Sequence, residues 1–427
     1  MSDKLYACID LRSFYASCEC VARGLDPMKA RLVVADPERE DATICLAVTP
    51  EMKRLGVKNR CRVFEIPKGL EYITAPPRMR MYMEISAEVY ATYLKYISPD
   101  DIHVYSIDEC FIDLTPYVKL YKKSVKELVR MLMSAVLSST GIPATAGIGT
   151  NLFLAKVALD ILAKHSDDGI AYLDEDTFSK TVAHHRPITD VWNIGEGTAS
   201  RLKRMGVYDL YGIRHLPEKT LSRAFGVDSK ILIDHAYGRE SCTIADIKRY
   251  RPRSTSISHS QVLFRPYSFT DARLVLTEMI EVSVLELISK ELSTDRVSLT
   301  VGYNRTGRIG SPSYFLPPPT GASKKLNERT NSLEMISRHI LDIYDKTTSC
   351  DIPIRNLAIS FGDLIDEKYI DVNMFTDVSA LEREHSLLKA IVVIKDKFGK
   401  NAIVKGSSFE ESSTARMRNT LVGGHKG

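Results

Sequence analysis

The stretch YSIDECFIDL, residues 105–114, is an apolar run cut in the middle by two adjacent carboxylates, Asp108 and Glu109. Runs of this length rich in Ile, Phe and Tyr read as strands, and the acidic pair marks a hairpin turn. A second such run lies near the amino terminus in CIDLRSFYASCE, residues 8–19, where Asp10 ends the strand. Carboxylates amid strand hydrophobes are costly, because desolvation and mutual repulsion both oppose ionisation. Divalent cations would offset that cost, and oxygen-only donors suit Mg²⁺, which takes substrate phosphates as further ligands. Two such ions about 3.5 to 4 Å apart can stabilise the attacking and leaving oxygens of a phosphoryl transfer. On these residues alone, a solvated acidic hairpin tip and an unrelated strand-end Asp explain the pattern as well.

Around these two segments, strand-like runs at 5–9, 32–35, 42–48, 102–107, 110–114 and 144–148 alternate with helical patterns at 77–97, 122–138 and 151–164. This is an α/β core. From about 175 to 240 the pattern is helical, punctuated by Gly195, Gly197, Gly206, Gly212, Gly226 and Gly238, and IKRYRPR (247–253) reads as a basic linker. Beyond it, a strand (254–264), a helix (269–292), strands at 296–303 and 313–316, a helix (327–345) and a strand (354–361) predict a split βαβ sandwich of α+β type. The last ~60 residues have weaker periodicity and read as a mobile tail.

Composition bounds the function. With 58 basic and 54 acidic residues the 427-residue chain carries only +4, which excludes a strongly basic coating protein and makes any nucleic-acid surface local. Eight cysteines without a CxxC pair indicate neither a zinc ribbon nor a disulfide framework. The charged start MSDKLYACID has no signal-like apolar region, and no apolar stretch spans a bilayer, so a cytoplasmic protein without membrane contact is expected.

CIDLRSFYASCE and YSIDECFIDL resemble the two catalytic motifs of the Y-family translesion DNA polymerases, in their bacterial UmuC-like branch. The resemblance continues through GIGTNLFLAKVALDILAK (147–164), the glycine hairpin near residue 195, the split βαβ domain and the final GGHK. It implies a right-hand polymerase: palm (1–18 and 77–174), fingers (19–76), thumb with a helix-hairpin-helix (175–243), split βαβ little finger (244–365) and C-terminal tail (366–427). The activity implied is error-prone, template-directed addition of deoxynucleotides to a primer 3′-hydroxyl opposite damaged bases, in a bacterial cytoplasm at the nucleoid.

Residue by residue, the resemblance implies that Asp10, Asp108, Glu109 and the backbone carbonyl of Leu11 hold two Mg²⁺ ions. Tyr15 matches a steric gate against the sugar 2′ position, and Lys156 matches a lysine that neutralises the incoming triphosphate. From the residues themselves, Phe14 and Tyr15 read equally well as core aromatics. Where many members place a tyrosine and an arginine on the triphosphate, AVTPEMKRLGVK (47–58) gives Pro50 and Lys53, a point charge in place of a fork.

DNA contacts are expected in two places. VWNIGEGTASRLKRMGV (191–207) sets Gly195 and Gly197 before Arg201, Lys203 and Arg204, a helix start able to hold a phosphate, although an αα-hairpin with a solvated basic face fits equally. Residues 296–327 contain Arg296, Arg305, Arg308, Lys324 and Lys325 and no acid, and with Lys248, Arg249, Arg251 and Arg253 of the linker they predict a one-signed surface for the DNA backbone. DVNMF (371–375), with Asp371, Met374 and Phe375, resembles the pentapeptide that docks bacterial polymerases on the sliding clamp, Asp371 standing where glutamine is usual. Two other classes compete: a palm-fold nucleotidyl cyclase, which needs no basic second domain, and a catalytically idle DNA-bound regulator, which has no use for the carboxylates.

Overall fold

The computed structural model describes residues 4–37, 43–252, 255–307, 315–370 and 377–426. The chain divides into two compact units, Met1–Tyr250 with His425–Gly427, and Arg251–Gly424. The strands of the first unit are β1 (Tyr6–Leu11), β2 (Leu32–Val34), β3 (Ala47–Val48), β4 (Ile73–Ala75), β5 (Ile102–Val104), β6 (Glu109–Asp113), β7 (Ala144–Gly149) and β8 (Ile170–Leu173).

The main sheet has the order β5-β6-β1-β7-β8. Its central strand β1 pairs antiparallel with β6 and β7, and Tyr6, Ala7, Cys8 and Ile9 are all buried. A strand covered on both faces has no solvent side to carry polar residues, so it reads as a continuous apolar run. Tyr6, Cys8 and Phe111 pack on Leu152, Ala155 and Leu159 of the helix after β7. That helix lies so close to β7 that a Cβ at Gly147 would sit 2.1 Å from the carbonyl oxygen of Ala155, and one at Gly149 2.3 Å from its amide. The two glycines of Gly147-Ile148-Gly149 are therefore what lets the helix settle on the strand.

A small sheet, β3-β2-β4, encloses its own core of Val33, Cys45, Val48, Met52 and Val57. From Glu175 onward short helices surround a core that includes Phe178, Leu202, Leu210 and Leu221. The basic segment 247–253 is not simply a linker. Lys248 and Arg249 close a helix, Ile244–Arg249, that starts on a reciprocal cap between Thr243 and Asp246.

In the second unit, β9 (Ile257–Tyr267), β10 (Leu292–Tyr303), β11 (Thr320–Thr330) and β12 (Ile354–Gly362) form an antiparallel sheet in the order β11-β10-β12-β9, with helices Phe269–Ser289 and Leu333–Thr347 packed on its core. The third strand departs from the sequence reading. It runs over Thr320–Thr330; of the expected 313–316, residues 313 and 314 lie outside the described residues and Phe315 makes an isolated bridge to Thr306. TGASKKLNERT escapes a hydrophobicity reading because Leu326 is its one buried aliphatic.

The tail is also corrected. Val378–Phe398 is a 21-residue helix whose Leu388, Ile391 and Val392 pack on the second unit's core. A following segment is tied down by Glu278, which accepts bonds from the Ser413 hydroxyl and, at 3.0 Å each, the amides of Thr414 and Ala415. All eight cysteines are free, six of them buried. No helix among the described residues is long and apolar enough to cross a membrane.

Candidate active site

The antiparallel register of β1 and β6 sets Asp10 opposite Glu109, and the Leu11 amide donates to the Asp108 carbonyl at 2.9 Å. Sheet pairing thus brings the two acidic segments together from ninety-eight residues apart, counting 10 to 108. Asp108 occupies the turn before β6, where the Ser106 hydroxyl donates to its Oδ1 at 2.7 Å. Glu109 opens β6 and is buried.

Asp10 is pushed up to about 6, chiefly by burial, with the negative charges of Asp108 and Glu109 adding to the shift and Lys164 opposing it. Glu109 faces inward: Lys156 Nζ lies 2.8 Å from each of its oxygens, and Cys8 Sγ lies 2.8 Å from Oε1. Burial lowers the Lys156 ammonium pKa, but Cys8, Glu109 and Asp160 together outweigh it and raise the group above its usual range. The lysine expected on a triphosphate is therefore buried and engaged with Glu109.

A different ammonium stands at the open side. Lys164 Nζ lies 3.7 Å from Asp10 Oδ2 and 2.8 Å from Asp160 Oδ1, with 41 % of its side chain exposed. Sequence reasoning missed it, although Lys156, Asp160 and Lys164 recur every four residues, the spacing that stacks side chains on one helical face. Lys53 lies within the electrostatic reach of Asp10. It sits on the short helix Pro50–Arg54, where desolvation lowers its pKa and the charge of Asp10 is the main influence opposing that. Pro50 opens this helix, so its position suits a residue without an amide hydrogen.

Tyr15 lies on helix Phe14–Ala22, directly after β1, half-buried and within the electrostatic reach of Asp108. An open cleft of about 510 Å³ runs from Lys156 and Asp160 past Tyr105 and Trp192 to Asn193 and Gly195. Its aromatic wall is fixed by a bond from Trp192 Nε1 to Tyr105 Oη at 3.0 Å. Beyond it, Gly195 caps helix Glu196–Arg204, and a Cβ at Gly195 or Gly197 would meet nothing of the chain. Lys203 and Arg204 are exposed there, whereas Arg201 is held by the Ala224 carbonyl at 3.0 Å and lies over the Phe225 ring.

Residues 9–160 match the model of the impB/mucB/samB family, and residues 254–374 match the model of that family's C-terminal domain. Together these matches span more than half of the chain. The chain belongs to the Y-family translesion DNA polymerases. Among curated relatives, the "Putative UV-damage repair protein UvrX" of Bacillus subtilis is 27% identical over 423 residues, covering 98% of this chain and 97% of the relative. "DNA polymerase IV 2" of the same organism is 28% identical over 437 residues, covering 100% and 99%. A solved Y-family DNA polymerase chimera of Dbh and Dpo4 shares the fold with a TM-score of 0.63 at 20% identity, over 85% of this chain and 99% of that one.

In this Y-family chain the expected basic surface of the second unit is only partly one-signed. Arg296 Nε pairs with Asp363 at 2.9 Å, and Lys325 Nζ lies 3.9 Å from Asp295. Neighbouring segments supply acids that the sequence interval 296–327 lacks. In the first unit Arg249 pairs with Asp246 at 2.8 Å and Lys248 donates to the Pro99 carbonyl, so both are engaged within the fold. Arg251 and Arg305 are exposed. Arg253, Arg308, Asp371, Met374 and Phe375 lie outside the described residues.

Proposed function

We propose that the protein is a template-directed, error-prone lesion-bypass DNA polymerase that extends a primer 3′-hydroxyl with deoxynucleoside triphosphates. The observation carrying this reading is the register of β1 on β6, which sets Asp10 against Glu109 with Asp108 alongside, while Lys164 lies 3.7 Å from Asp10 and Lys53 is within its electrostatic reach.

The donor set fits a hard divalent cation. Its oxygens are carboxylate and carbonyl, and the burial that chiefly raises Asp10, with the repulsion that adds to it, disfavours a charge that a cation would stabilise. Among the described residues no three potential ligands are already drawn together, and Glu109 must leave Lys156 to take part. Asp10, the Leu11 carbonyl, Asp108 and Glu109 would hold two Mg²⁺. When bound, Mg²⁺ supplies the Lewis acidity that lowers the pKa of a primer hydroxyl and neutralises charge on the leaving pyrophosphate. Lys164 and Lys53 would orient the triphosphate by charge, and the Tyr15 ring would close the space beside the sugar 2′ carbon.

The open amides at the start of helix Glu196–Arg204, with Lys203 and Arg204, suit a DNA phosphate without reading sequence. The main sheet would be the palm, residues 19–76 the fingers, the helices from 175 the thumb and the second unit the little finger. DVNMF would dock on the sliding clamp: Met374→Ala with Phe375→Ala should eliminate clamp-stimulated extension and leave clamp-free extension unchanged.

The clasp of Lys156 on Glu109 favours a second reading, a DNA-bound protein in which the ammonium permanently neutralises that carboxylate. Primer extension with Mg²⁺ on undamaged and lesion-bearing templates decides between them. A polymerase lengthens both primers and stops when the metal is chelated, whereas an idle binder or a cyclase lengthens neither.

A further inference from the structure

We propose that Asp160 is a positioning residue that holds Lys164 in place for the triphosphate of the incoming nucleotide, an inference that rests on the polymerase reading above. The Asp160 carboxylate bridges two ammonium groups, with Lys156 Nζ 3.0 Å from Oδ2 and Lys164 Nζ 2.8 Å from Oδ1. Lys156 continues to Glu109, and Lys164 to Asp10 at 3.7 Å. The five groups Glu109, Lys156, Asp160, Lys164 and Asp10 thus alternate in sign from one carboxylate of the strand pair to the other, with Asp160 at the midpoint.

The backbone is adapted to this arrangement. Asp160 lies in a π turn, Ala158–Leu162, between the α-helical Leu152–Val157 and the tighter turn Ala163–His165 that carries Lys164. A π turn accommodates an extra residue within a helix and is frequent at functional sites. Of the two lysines Lys164 is the more open, with 41 % of its side chain exposed against 9 % for Lys156. A lysine at the protein surface loses rotamer freedom when it binds a ligand, and a fixed partner removes much of that loss in advance.

The charge of Asp160 makes the role testable by sign. Acting only as a nearby negative charge, it repels a triphosphate, and its neutralisation tightens nucleotide binding. Acting as a positioning residue, its neutralisation releases Lys164 and weakens binding.

The experiment uses the full chain on a primer–template whose primer ends in a dideoxynucleotide, so that equilibrium binding of the next correct deoxynucleotide is read without turnover. Asp160→Asn is expected to raise the Kd about fivefold to tenfold, the net size of one ordinary hydrogen bond. On an extendable primer the loss falls in KM and not in kcat. Lys164→Ala raises the Kd by at least as much, the double variant is no weaker than Lys164→Ala alone, and Asp160→Glu recovers part of the affinity. Unaltered primer–template affinity in each variant certifies the fold. Equal or tighter nucleotide binding by Asp160→Asn, or additive losses in the double variant, overturns the proposal while leaving the polymerase intact. Absence of nucleotide binding in the unmodified protein would overturn the polymerase reading itself, and this inference with it.

Discussion

The ring of Tyr15 stacks on that of Tyr82, with centroids 4.6 Å apart and planes inclined by 21°. Tyr82 is fully buried and donates its hydroxyl to Glu19 Oε1 at 2.7 Å. Glu19 is itself fully buried and receives both arms of Arg78, at 2.9 and 2.7 Å, and one of Arg23. Burial pushes Glu19 upward, but these bonds outweigh it and hold the carboxyl below its usual range. The platform beneath Tyr15 is thus anchored by charge as well as by packing. Tyr15→Ala should relax discrimination against ribonucleotides by about 100-fold, the order by which an apolar pocket rejects an added hydroxyl. Tyr82→Leu should relax it less, by freeing the ring above. Single-nucleotide incorporation with matched ribo- and deoxynucleotides measures both, and unchanged sugar selectivity in Tyr15→Ala would return that residue to an ordinary core role.

Glu109 and Asp108 should separate chemistry from grip. Either alanine variant is expected to lower primer extension by at least about 10³-fold, the scale of losing a principal electrostatic stabiliser of the transition state, with primer–template affinity within a factor of about three. Glu109→Ala carries an added structural cost, because it strands the buried Lys156 ammonium on Asp160 alone. Its melting temperature should therefore fall further than that of Asp108→Ala, whose side chain lies in a turn beside Ser106. Near-normal extension by either variant would refute the metal-ligand assignment.

Where hydrophobicity and local pattern decide the structure, the sequence was legible. The buried run of β1 and the helical spacing at 122–138, which the structure places in helix Val125–Thr140, are local signals with one structural outcome. The carboxylates stood out for a related reason, since acids inside apolar strands are rare unless something compensates them, but it was the resemblance to a family that gave them a role. Side-chain choice among nearby lysines was not legible. Whether Lys156 or Lys164 faces solvent depends on the close seating of a helix on Gly147 and Gly149 and on a π turn, neither of which periodicity reveals. The acid-free interval 296–327 misled in the same way, since Asp295 and Asp363 lie outside it in sequence and beside it in space. The tail helix was missed because it buries a narrow stripe: Leu388 is buried, while Leu387 and Val393 remain exposed.

That helix changes how the second unit should be isolated. A fragment ending near residue 365 removes Val378–Phe398 from the core and strips Glu278 of the Thr414 and Ala415 amides, leaving a buried carboxylate short of donors. Loss of hydrogen bonds to a buried charged group costs about 3 kcal/mol or more. The fragment 251–424 should therefore unfold in one cooperative urea transition, and 251–365 at a clearly lower midpoint. The longer fragment should bind duplex DNA without sequence preference, with log affinity falling linearly in log salt. The charge compensation at Arg296 and Lys325 predicts a shallow slope. A slope of zero, or no binding at low salt, would count against a DNA-gripping role.

Asp10 provides the pH signature. Its folded pKa of about 6 lies above the ordinary 3.8, so between those values the folded protein keeps a proton that the unfolded chain has released. Stability from this group is fully present below about pH 4 and is lost as pH rises through about 6. The interval corresponds to roughly 3 kcal/mol, an upper figure because part of the side chain meets solvent. Asp10→Asn removes the ionisation and should be the more stable protein at pH 7.5, with an advantage that shrinks steadily from pH 6 to pH 4. Mg²⁺ affinity should show the opposite preference, rising through pH 6 in the unmodified protein as the carboxylate forms, and activity should be absent at every pH in the variant. Divalent cation should raise the melting temperature of the unmodified protein at pH 7.5 and leave that of Asp10→Asn nearly unchanged, because the charge that it would relieve is gone. Paired melting curves over pH 4 to 8, with and without Mg²⁺, measure the stability and cation effects, and primer extension over the same range measures activity. A stability difference independent of pH would show that Asp10 ionises as freely as in the unfolded chain.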